Sequence, residues 1–245
     1  MQAIFTKIQH DMKIFQLLGI LLIIAILSTC ETGGNAPTPT IKKETVEIIP
    51  TDTIKDNGIK EVDYGPGRNH WQRPDLIISL LAKGDLSEMT VVDIGAGKGF
   101  FTIKIAPLAK KVIALDIDQN FLDIIDTEKR SELAPAIQGR VETRLTSRDS
   151  PKLDTNEADA VLIVNTFMFI DNKLDYLNKL KDKIIPGGRL VIVDFKRKRT
   201  ELGPRPRKHR APLYMVEDLL YEAGYKNIQA RDTDLSEQYI LVAER

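Results

Sequence analysis

The sequence predicts an α/β fold in which helices cover both faces of a mainly parallel β-sheet. From about residue 63 onward, short apolar segments of strand length alternate with segments of helical periodicity. The apolar segments show little polar alternation, which is typical of strands that are buried on both faces. The chain has 245 residues, 42% of them hydrophobic, and this is enough for one domain with flanking segments.

Seven segments are predicted as strands, because each is short, largely apolar and separated from its neighbours by polar or turn-forming residues. They are residues 90–94, 111–115, 140–145, 158–164, 189–195, 227–231 and 238–243. The connection between the last two is too short for a parallel crossover, so we expect these two strands to form an antiparallel pair.

Five further segments are predicted as helices. They are residues 74–84, 99–110, 119–133, 171–184 and 213–223. Pro74 suits a first helical turn, and Gly84 and Gly224 stand where helices commonly end. Pro186 with the two following glycines is expected to stop the fourth helix.

The N-terminal segment is predicted to lie outside the domain. Residues 17–27 (LLGILLIIAIL) are continuously apolar, but eleven residues of helix rise only about 16 Å, against about 30 Å for a hydrocarbon core. This length suits the apolar region of a signal peptide better than an uncleaved anchor helix. The segment ends in Leu27-Ser28-Thr29-Cys30, which resembles a bacterial lipobox, with Thr29 where glycine, alanine or serine is usual.

This resemblance sets the predicted domain organisation. Residues 1–29 are a signal peptide whose lipobox ends at Cys30, residues 30–62 are a flexible tether rich in threonine, proline and charge, and residues 63–245 are the domain. Cys30 is the single cysteine of the sequence, so no disulfide framework is expected. A lipid on Cys30 would place the domain outside the cytoplasm, in a bacterial cell envelope.

A glycine-rich loop follows the first predicted strand. It reads DIGAGKG from Asp93 to Gly99. A loop for nucleoside triphosphates needs a hydroxyl after its lysine, but Lys98 is followed by glycine and phenylalanine, so a triphosphate is disfavoured. The glycines run G-x-G-x-G instead of G-x-G-x-x-G, which weakens NAD or FAD as the ligand without excluding either.

This loop, together with Asp116 at the end of the next strand, resembles motif I of the class I S-adenosylmethionine-dependent methyltransferases. Three more segments resemble the methyltransferase type 11 group within that class. They are WQRPD at 71–75, PGGRL at 186–190 and EQY at 237–239. The resemblance implies a Rossmann-like, seven-stranded sheet in the order 3-2-1-4-5-7-6 with strand 7 antiparallel, and S-adenosylmethionine as the cofactor.

The candidate cofactor-binding residues lie at the expected carboxyl ends of the strands. They are Asp93, Gly95, Ala96, Gly97, Asp116, Ile117, Asp149 and Asn165. S-adenosylmethionine has a zwitterionic amino-acid end and no phosphate, so the loop needs close backbone approach and an acid for the ammonium group, here Asp93 through water. Asp116 is placed to accept both ribose hydroxyls.

Two of these residues have an alternative interpretation. Asp149 stands where the family usually contacts the adenine amino group, but it could equally cap a turn before Pro151. Asn165 ends the fourth strand beside the expected methyl group, or it is simply a hydrogen-bonding residue at a strand end.

The candidate catalytic residues are His209 and Asp194. Relatives often carry a histidine after the fourth strand, but this segment reads TFMF at 166–169 and offers no base. Its apolar residues could line an acceptor pocket or pack into the core. His209 is the best remaining candidate base and Asp194 the second, although His209 could be merely a solvated residue among arginines. No metal site is predicted.

A basic loop at 196–210 carries eight lysines and arginines against one glutamate, in a chain whose formal net charge is zero. It is a solvated loop, or it attracts an acidic acceptor or anionic lipid headgroups. Nucleic acid is disfavoured, because no interleaved aromatic residues accompany the charge.

These patterns predict a methyltransferase that is tethered to a membrane through Cys30 and acts on a small-molecule or lipid-like acceptor. The alternative is a tethered binding module that keeps the fold and has lost catalysis. The missing histidine favours this alternative, as does the synthesis of S-adenosylmethionine in the cytoplasm, whereas the intact loop and Asp116 favour the enzyme. The oligomeric state is left open.

Overall fold

The structure is a computed structural model that describes residues 67–199, 202–204 and 209–245. The predicted signal peptide, Cys30 and the tether lie outside the described residues, as does part of the basic loop. No helix within the described part of the chain is long and apolar enough to cross a membrane.

The described residues form one seven-stranded sheet. Its strands are β1 (Thr90–Ile94), β2 (Lys111–Asp116), β3 (Val141–Leu145), β4 (Ala158–Val164), β5 (Ile184–Phe195), β6 (Lys226–Arg231) and β7 (Gln238–Glu244). The spatial order is β3-β2-β1-β4-β5-β7-β6. Strands β1 to β5 pair in parallel, whereas β7 pairs antiparallel with both β5 and β6. The predicted strand order and the antiparallel last strand are therefore confirmed.

Helices cover both faces of this sheet. They are α1 (Arg68–Trp71), α2 (Pro74–Ser79), α3 (Phe100–Ile105), α4 (Gln119–Glu132), α5 (Pro135–Gln138), α6 (Lys173–Lys181) and α7 (Leu213–Glu222), with a short 3-10 helix at Phe167–Phe169. Apolar residues of α2, α3 and α4 pack on one face, and those of α6 and α7 on the other. Because strand side chains alternate, Val91 belongs to the first core and Val92 to the second.

The boundary between α6 and β5 differs from the prediction. Helix α6, predicted to continue to residue 184, ends at Lys181. Strand β5 already begins at Ile184, which is fully buried and pairs with Ala158. The Pro-Gly-Gly segment therefore does not stop the helix but forms an irregularity within the strand. Gly188 is needed there, because a Cβ atom would lie 2.7 Å from the carbonyl oxygen of Asp159.

Candidate active site

The glycine loop is shaped by three left-handed backbone conformations. Gly95, Gly97 and Gly99 have φ angles of 72°, 53° and 86°, which residues with a Cβ atom rarely adopt. The amides of Gly95 and Ala96 both donate to the carbonyl oxygen of Leu115, at 2.8 and 3.0 Å, so the loop is fixed against β2. A Cβ atom on Gly95 would also lie 2.2 Å from Thr166 Oγ1. Conformation and crowding together therefore require glycine at this position.

Asp116, the last residue of β2, faces this loop. Its Oδ2 accepts a hydrogen bond from the Gly97 amide at 2.8 Å, and its Oδ1 accepts one from the Asp118 amide at 3.0 Å. Burial raises the pKa of its carboxyl group, although these amide donors oppose the shift. Each carboxylate oxygen has lone pairs beyond the one used here, so the group can still accept hydrogen bonds from a ligand.

Asp93 lies beneath the loop and not on its open side. It is 2% exposed, and its Oδ2 accepts a hydrogen bond from Thr102 Oγ1 at 2.7 Å, which ties β1 to α3. Burial raises the pKa of its carboxyl group to about 6, with the Thr102 hydrogen bond acting in the opposite direction. Water-mediated contact with a cofactor ammonium group stays a prediction.

A cavity of about 200 Å³ opens at the carboxyl ends of β1 to β4. Its wall contains six of the predicted cofactor-binding residues, namely Gly95, Ala96, Gly97, Asp116, Ile117 and Asn165. Phe169, Ile170 and Tyr176, which follow β4 in the chain, give the wall an apolar part. The cavity thus joins a polar half at the glycine loop to an apolar half beyond β4, at the position where ligands bind in open α/β sheets.

Asp149 lies outside the cavity wall. It is exposed, its Oδ1 accepts a hydrogen bond from Ser147 Oγ at 2.6 Å, and this bond lowers the pKa of its carboxyl group. The Asp149 carboxylate is thus hydrogen-bonded within its own loop. The same loop contributes Thr146, Ser147 and Arg148 to the wall instead, and these residues were missed because the family pattern drew attention to the acid.

The two candidate bases are not brought to the cavity. Asp194 is fully buried, with its Oδ1 bound to the Phe195 amide at 2.8 Å and its Oδ2 bound to the Met168 amide at 3.2 Å. Burial raises the pKa of this carboxyl group to about 6. The carboxylate therefore holds the 3-10 helix against β5. His209 is exposed, and it is not among the described residues of the wall.

A chain of hydrogen-bonded polar side chains, here called the amide relay, consists of the half-buried Arg68 and the buried Gln72, Gln238 and Asn165. Arg68 Nε donates to Gln72 Oε1 at 2.7 Å, and Gln72 Nε2 donates to Gln238 Oε1 at 3.0 Å. Gln238 Nε2 in turn donates to Asn165 Oδ1. Asn165 Nδ2 is buried and has no hydrogen-bond partner in the described structure.

This relay was not predicted as a unit from the sequence. Gln72 and Gln238 belong to the quoted WQRPD and EQY segments, which are 166 positions apart in the chain. The glutamines of these two family-like segments were the available signal, but only the fold shows that they are buried and in contact.

The basic loop is partly a structural element. Arg210 is 1% exposed and donates to the carbonyl oxygens of Lys196, Leu202 and Pro204, at 3.1, 2.6 and 3.2 Å. Lys196 Nζ donates to the Leu235 carbonyl oxygen at 2.9 Å. At least these two of the eight cations are therefore used in holding the loop to the domain. Within the described residues, no group of histidine, cysteine, aspartate or glutamate could hold a metal ion.

Comparison with known proteins finds similarity to methyltransferases. Residues 92–192 match the model of the methyltransferase type 11 family, described as "Methyltransferase domain". The demethylmenaquinone methyltransferase of Tropheryma whipplei is 30% identical over 148 residues, which cover 60% of this chain and 54% of that protein. The mitochondrial ubiquinone biosynthesis O-methyltransferase of Schizosaccharomyces pombe is 29% identical over 107 residues, 44% of this chain and 38% of that protein.

Solved structures share the fold. An S-adenosylmethionine-dependent methyltransferase from Aquifex aeolicus aligns with a TM-score of 0.65 and 22% identity, covering 74% of this chain and 94% of that one. Phosphoethanolamine N-methyltransferase 2 of Haemonchus contortus, solved with S-adenosyl-L-methionine, aligns with a TM-score of 0.60 and 13% identity, over 71% of this chain and 52% of that one. The fold is that of class I methyltransferases. The names of both neighbours include S-adenosylmethionine, the cofactor that the sequence predicts.

Proposed function

We propose that this protein transfers a methyl group from S-adenosylmethionine to a small or lipid-like acceptor with an oxygen-bearing ring. One observation carries the proposal. A single cavity joins a glycine loop and a preset carboxylate to an apolar pocket formed by Phe169, Ile170 and Tyr176. The first half suits a nucleoside with an amino-acid tail, and the second half suits an apolar acceptor.

The chain's own residues would act mainly by orientation and exclusion of water. Asp116 would accept hydrogen bonds from the ribose hydroxyls, and the absence of a side chain at Gly97 lets the backbone approach the ligand closely. The cofactor supplies a sulfonium methyl group that needs no activation by the protein. An apolar wall beside it favours in-line attack by keeping water out and by holding the acceptor at reacting distance.

The nature of the wall also bears on the acceptor. Among the described residues of the cavity wall there is no histidine, and Asp116 is the single carboxylate. An acceptor that is already acidic or electron-rich needs no protein base, and hydroxylated rings have this property. The names of the two curated relatives refer to ubiquinone biosynthesis and to demethylmenaquinone, which supports a quinol-type ring.

We further propose that the domain is anchored in the bacterial cell envelope by a lipid on Cys30. The support is the lipobox-like segment before Cys30 and the length of the apolar run. A tethered enzyme would meet lipid-like acceptors in the membrane at high local concentration. Incorporation of a radiolabelled fatty acid tests this: label is expected in the intact chain and not in Cys30→Ala, and a Cys30→Ala chain that is still labelled would refute the anchor.

Calorimetric titration with S-adenosylmethionine and S-adenosylhomocysteine tests the enzyme proposal first. Binding is expected, and no binding at millimolar ligand would refute the proposed function. The second step is incubation with S-adenosylmethionine carrying a labelled methyl group and a panel of quinols and other hydroxylated rings. Cofactor binding without transfer to any acceptor would favour the tethered binding module.

A further inference from the structure

The amide relay ends on an unsatisfied donor in the cavity wall. Asn165 is 5% exposed, it lines the cavity, and its Nδ2 has no partner in the described structure. We propose that Asn165 Nδ2 is the group that binds and orients the acceptor through an oxygen atom, and that Arg68 fixes its polarity through the relay. This inference rests on the proposed function, because it concerns the acceptor half of the same cavity.

The polarity of the relay, meaning the direction in which its hydrogen bonds are donated, follows from the chemistry of Arg68, its first member. A guanidinium group has donors and no acceptor, so Gln72 must offer its oxygen to Arg68. The Gln72 amino group then donates to Gln238 Oε1, and the Gln238 amino group donates to Asn165 Oδ1. Gln72 and Gln238 are both fully buried, so water does not replace these contacts. The Asn165 amino group is therefore the end of the relay, and Asn165 is a residue of the cavity wall.

An unpaired buried donor is costly. Leaving such a group without a hydrogen bond destabilises the folded state, and a ligand oxygen removes this penalty when it binds. Asn165 also has a φ angle of 57°, a strained conformation for a residue other than glycine. Strain and an unsatisfied donor at one residue of a cavity wall point to ligand binding.

The position of Asn165 assigns this donor to the acceptor. The glycine loop and Asp116 form the polar half of the cavity, after β1 and β2, whereas Asn165 follows β4 beside the apolar residues Phe169 and Ile170. The fitting group is a carbonyl, phenolic or enolic oxygen on an apolar ring. A protonated amine is disfavoured, because it has no lone pair and would meet a donor.

The test inverts the polarity without changing the cavity wall. In Gln72→Glu, the carboxylate accepts from Arg68 and needs a second donor. Gln238 and then Asn165 must therefore turn their amides, so that Asn165 presents Oδ1 to the cavity. In Gln238→Glu, the carboxylate accepts from Gln72, so Asn165 must again turn its amide. At acid pH the protonated carboxyl group can donate to Asn165 Oδ1, and the original orientation of the Asn165 amide returns. Gln229→Glu, on the exposed face of β6, is the matched control.

The probes are 2,3-dimethyl-1,4-naphthoquinone and 2,3-dimethylnaphthalene, which differ in the two carbonyl oxygens. Binding of each is measured in the presence of saturating S-adenosylhomocysteine. We expect the wild type and Gln229→Glu to prefer the quinone, and Asn165→Ala to lose about tenfold of this preference, as one hydrogen bond predicts. Gln72→Glu and Gln238→Glu should lose at least as much at pH 8, and Gln238→Glu should recover at acid pH.

Each outcome bears on one proposal. Failure of S-adenosylhomocysteine to bind the wild type would refute the proposed function itself. With S-adenosylhomocysteine bound, an unchanged quinone preference in Asn165→Ala, or no quinone binding to the wild type, would overturn the inference alone. A tenfold loss of S-adenosylhomocysteine affinity in Asn165→Ala would also overturn it, because the donor would then serve the cofactor. If Gln238→Glu does not fold, Gln72→Glu, whose new carboxylate pairs with Arg68, carries the same test.

Discussion

At the scale of single residues, the site is held in place before any ligand binds. Both oxygens of Asp116 are oriented by backbone amides, those of Gly97 and Asp118. A carboxylate that is already positioned loses little conformational entropy when a ligand arrives. The candidate ribose contact is thus part of the architecture that shapes the glycine loop.

Replacing Asp116 by asparagine should weaken S-adenosylhomocysteine binding by about 10- to 100-fold, because hydrogen bonds to a charged group contribute about 1.5–3 kcal/mol. Calorimetric titration measures this change. The control is Asp118→Asn, two residues along the chain, whose side chain caps α4 through the Asn120 amide. Asparagine caps helices as well as aspartate does, so the affinity of this variant should stay within about threefold of the wild type. Equal losses in both variants would show that Asp116 has no specific role.

The buried carboxyl group of Asp93 should make stability depend on pH. Burial raises its pKa from 3.8 to about 6, so the folded state holds this proton more tightly than the unfolded chain. The stabilisation is complete below about pH 4 and is lost as the pH rises through about 6, by about 3 kcal/mol in total.

Denaturant titrations of the wild type and Asp93→Asn, without ligand, isolate this contribution. Asparagine can still accept the Thr102 hydrogen bond but does not titrate. The unfolding free energy of the wild type minus that of the variant should therefore fall between about pH 4 and 7 and be flat above. A difference that rises over this range would contradict the assignment.

At the scale of elements, strands were easier to predict than helices. β1 and β4 have the predicted bounds, because a continuous apolar run between polar residues is a local signal. The predicted helices were too long at their C-terminal ends, as in α2, which ends at Ser79 and not at residue 84. Leu81 is buried beyond the end of this helix, and Leu80 and Ala82 pack against the same core. Periodicity alone does not distinguish such a turn from a further turn of helix.

The candidate site, like the fold, was predictable from the sequence where its signal is local. That Gly95, Gly97 and Asp116 meet at one cavity was predictable, because a loop and the end of the next strand form one local pattern. The relay could not be found, because its members come from opposite ends of the domain. Arg210 was also missed as a structural residue, since it stands among arginines that look alike in sequence.

Replacing Arg210 by methionine should destabilise the domain. Its guanidinium group is buried and binds three carbonyl oxygens of the loop that follows β5, and its Cζ lies 5.2 Å from the centre of the Phe195 ring. Loss of a buried charged donor that leaves its acceptors unpaired costs about 3 kcal/mol, which chemical denaturation measures. The control is His209→Ala at the adjacent exposed position, which should change stability by less than about 0.5 kcal/mol. Similar stabilities for the two variants would contradict a structural role for Arg210.

At the scale of the whole molecule, the amide relay connects parts of the fold that are distant in sequence. Gln72 precedes α2, and Gln238 begins β7, the last strand of the chain, which lies between β5 and β6 in the sheet. Gln72 donates to Gln238 at 3.0 Å, and Gln238 donates to Asn165 at the end of β4. The acceptor half of the cavity is therefore connected by hydrogen bonds to the last strand of the chain.

Ligand binding should consequently be visible in the stability of the entire domain. A ligand that binds only the folded state stabilises it by about 2.7 kcal/mol at a concentration of 100 times its Kd, and for a domain of this size this raises Tm by about 5–10 °C. Differential scanning calorimetry with S-adenosylhomocysteine should show this shift for the wild type and for Asn165→Ala, whose cofactor half is intact. For Asp116→Asn at the same ligand concentration, an affinity about 30-fold lower leaves less than about 1 kcal/mol and a shift of at most a few degrees. An equal Tm shift in Asp116→Asn and in the wild type would show that the ligand binds elsewhere than at the glycine loop. Loss of Asp116 lowers the ligand-induced stabilisation only if Asp116 is part of the binding site.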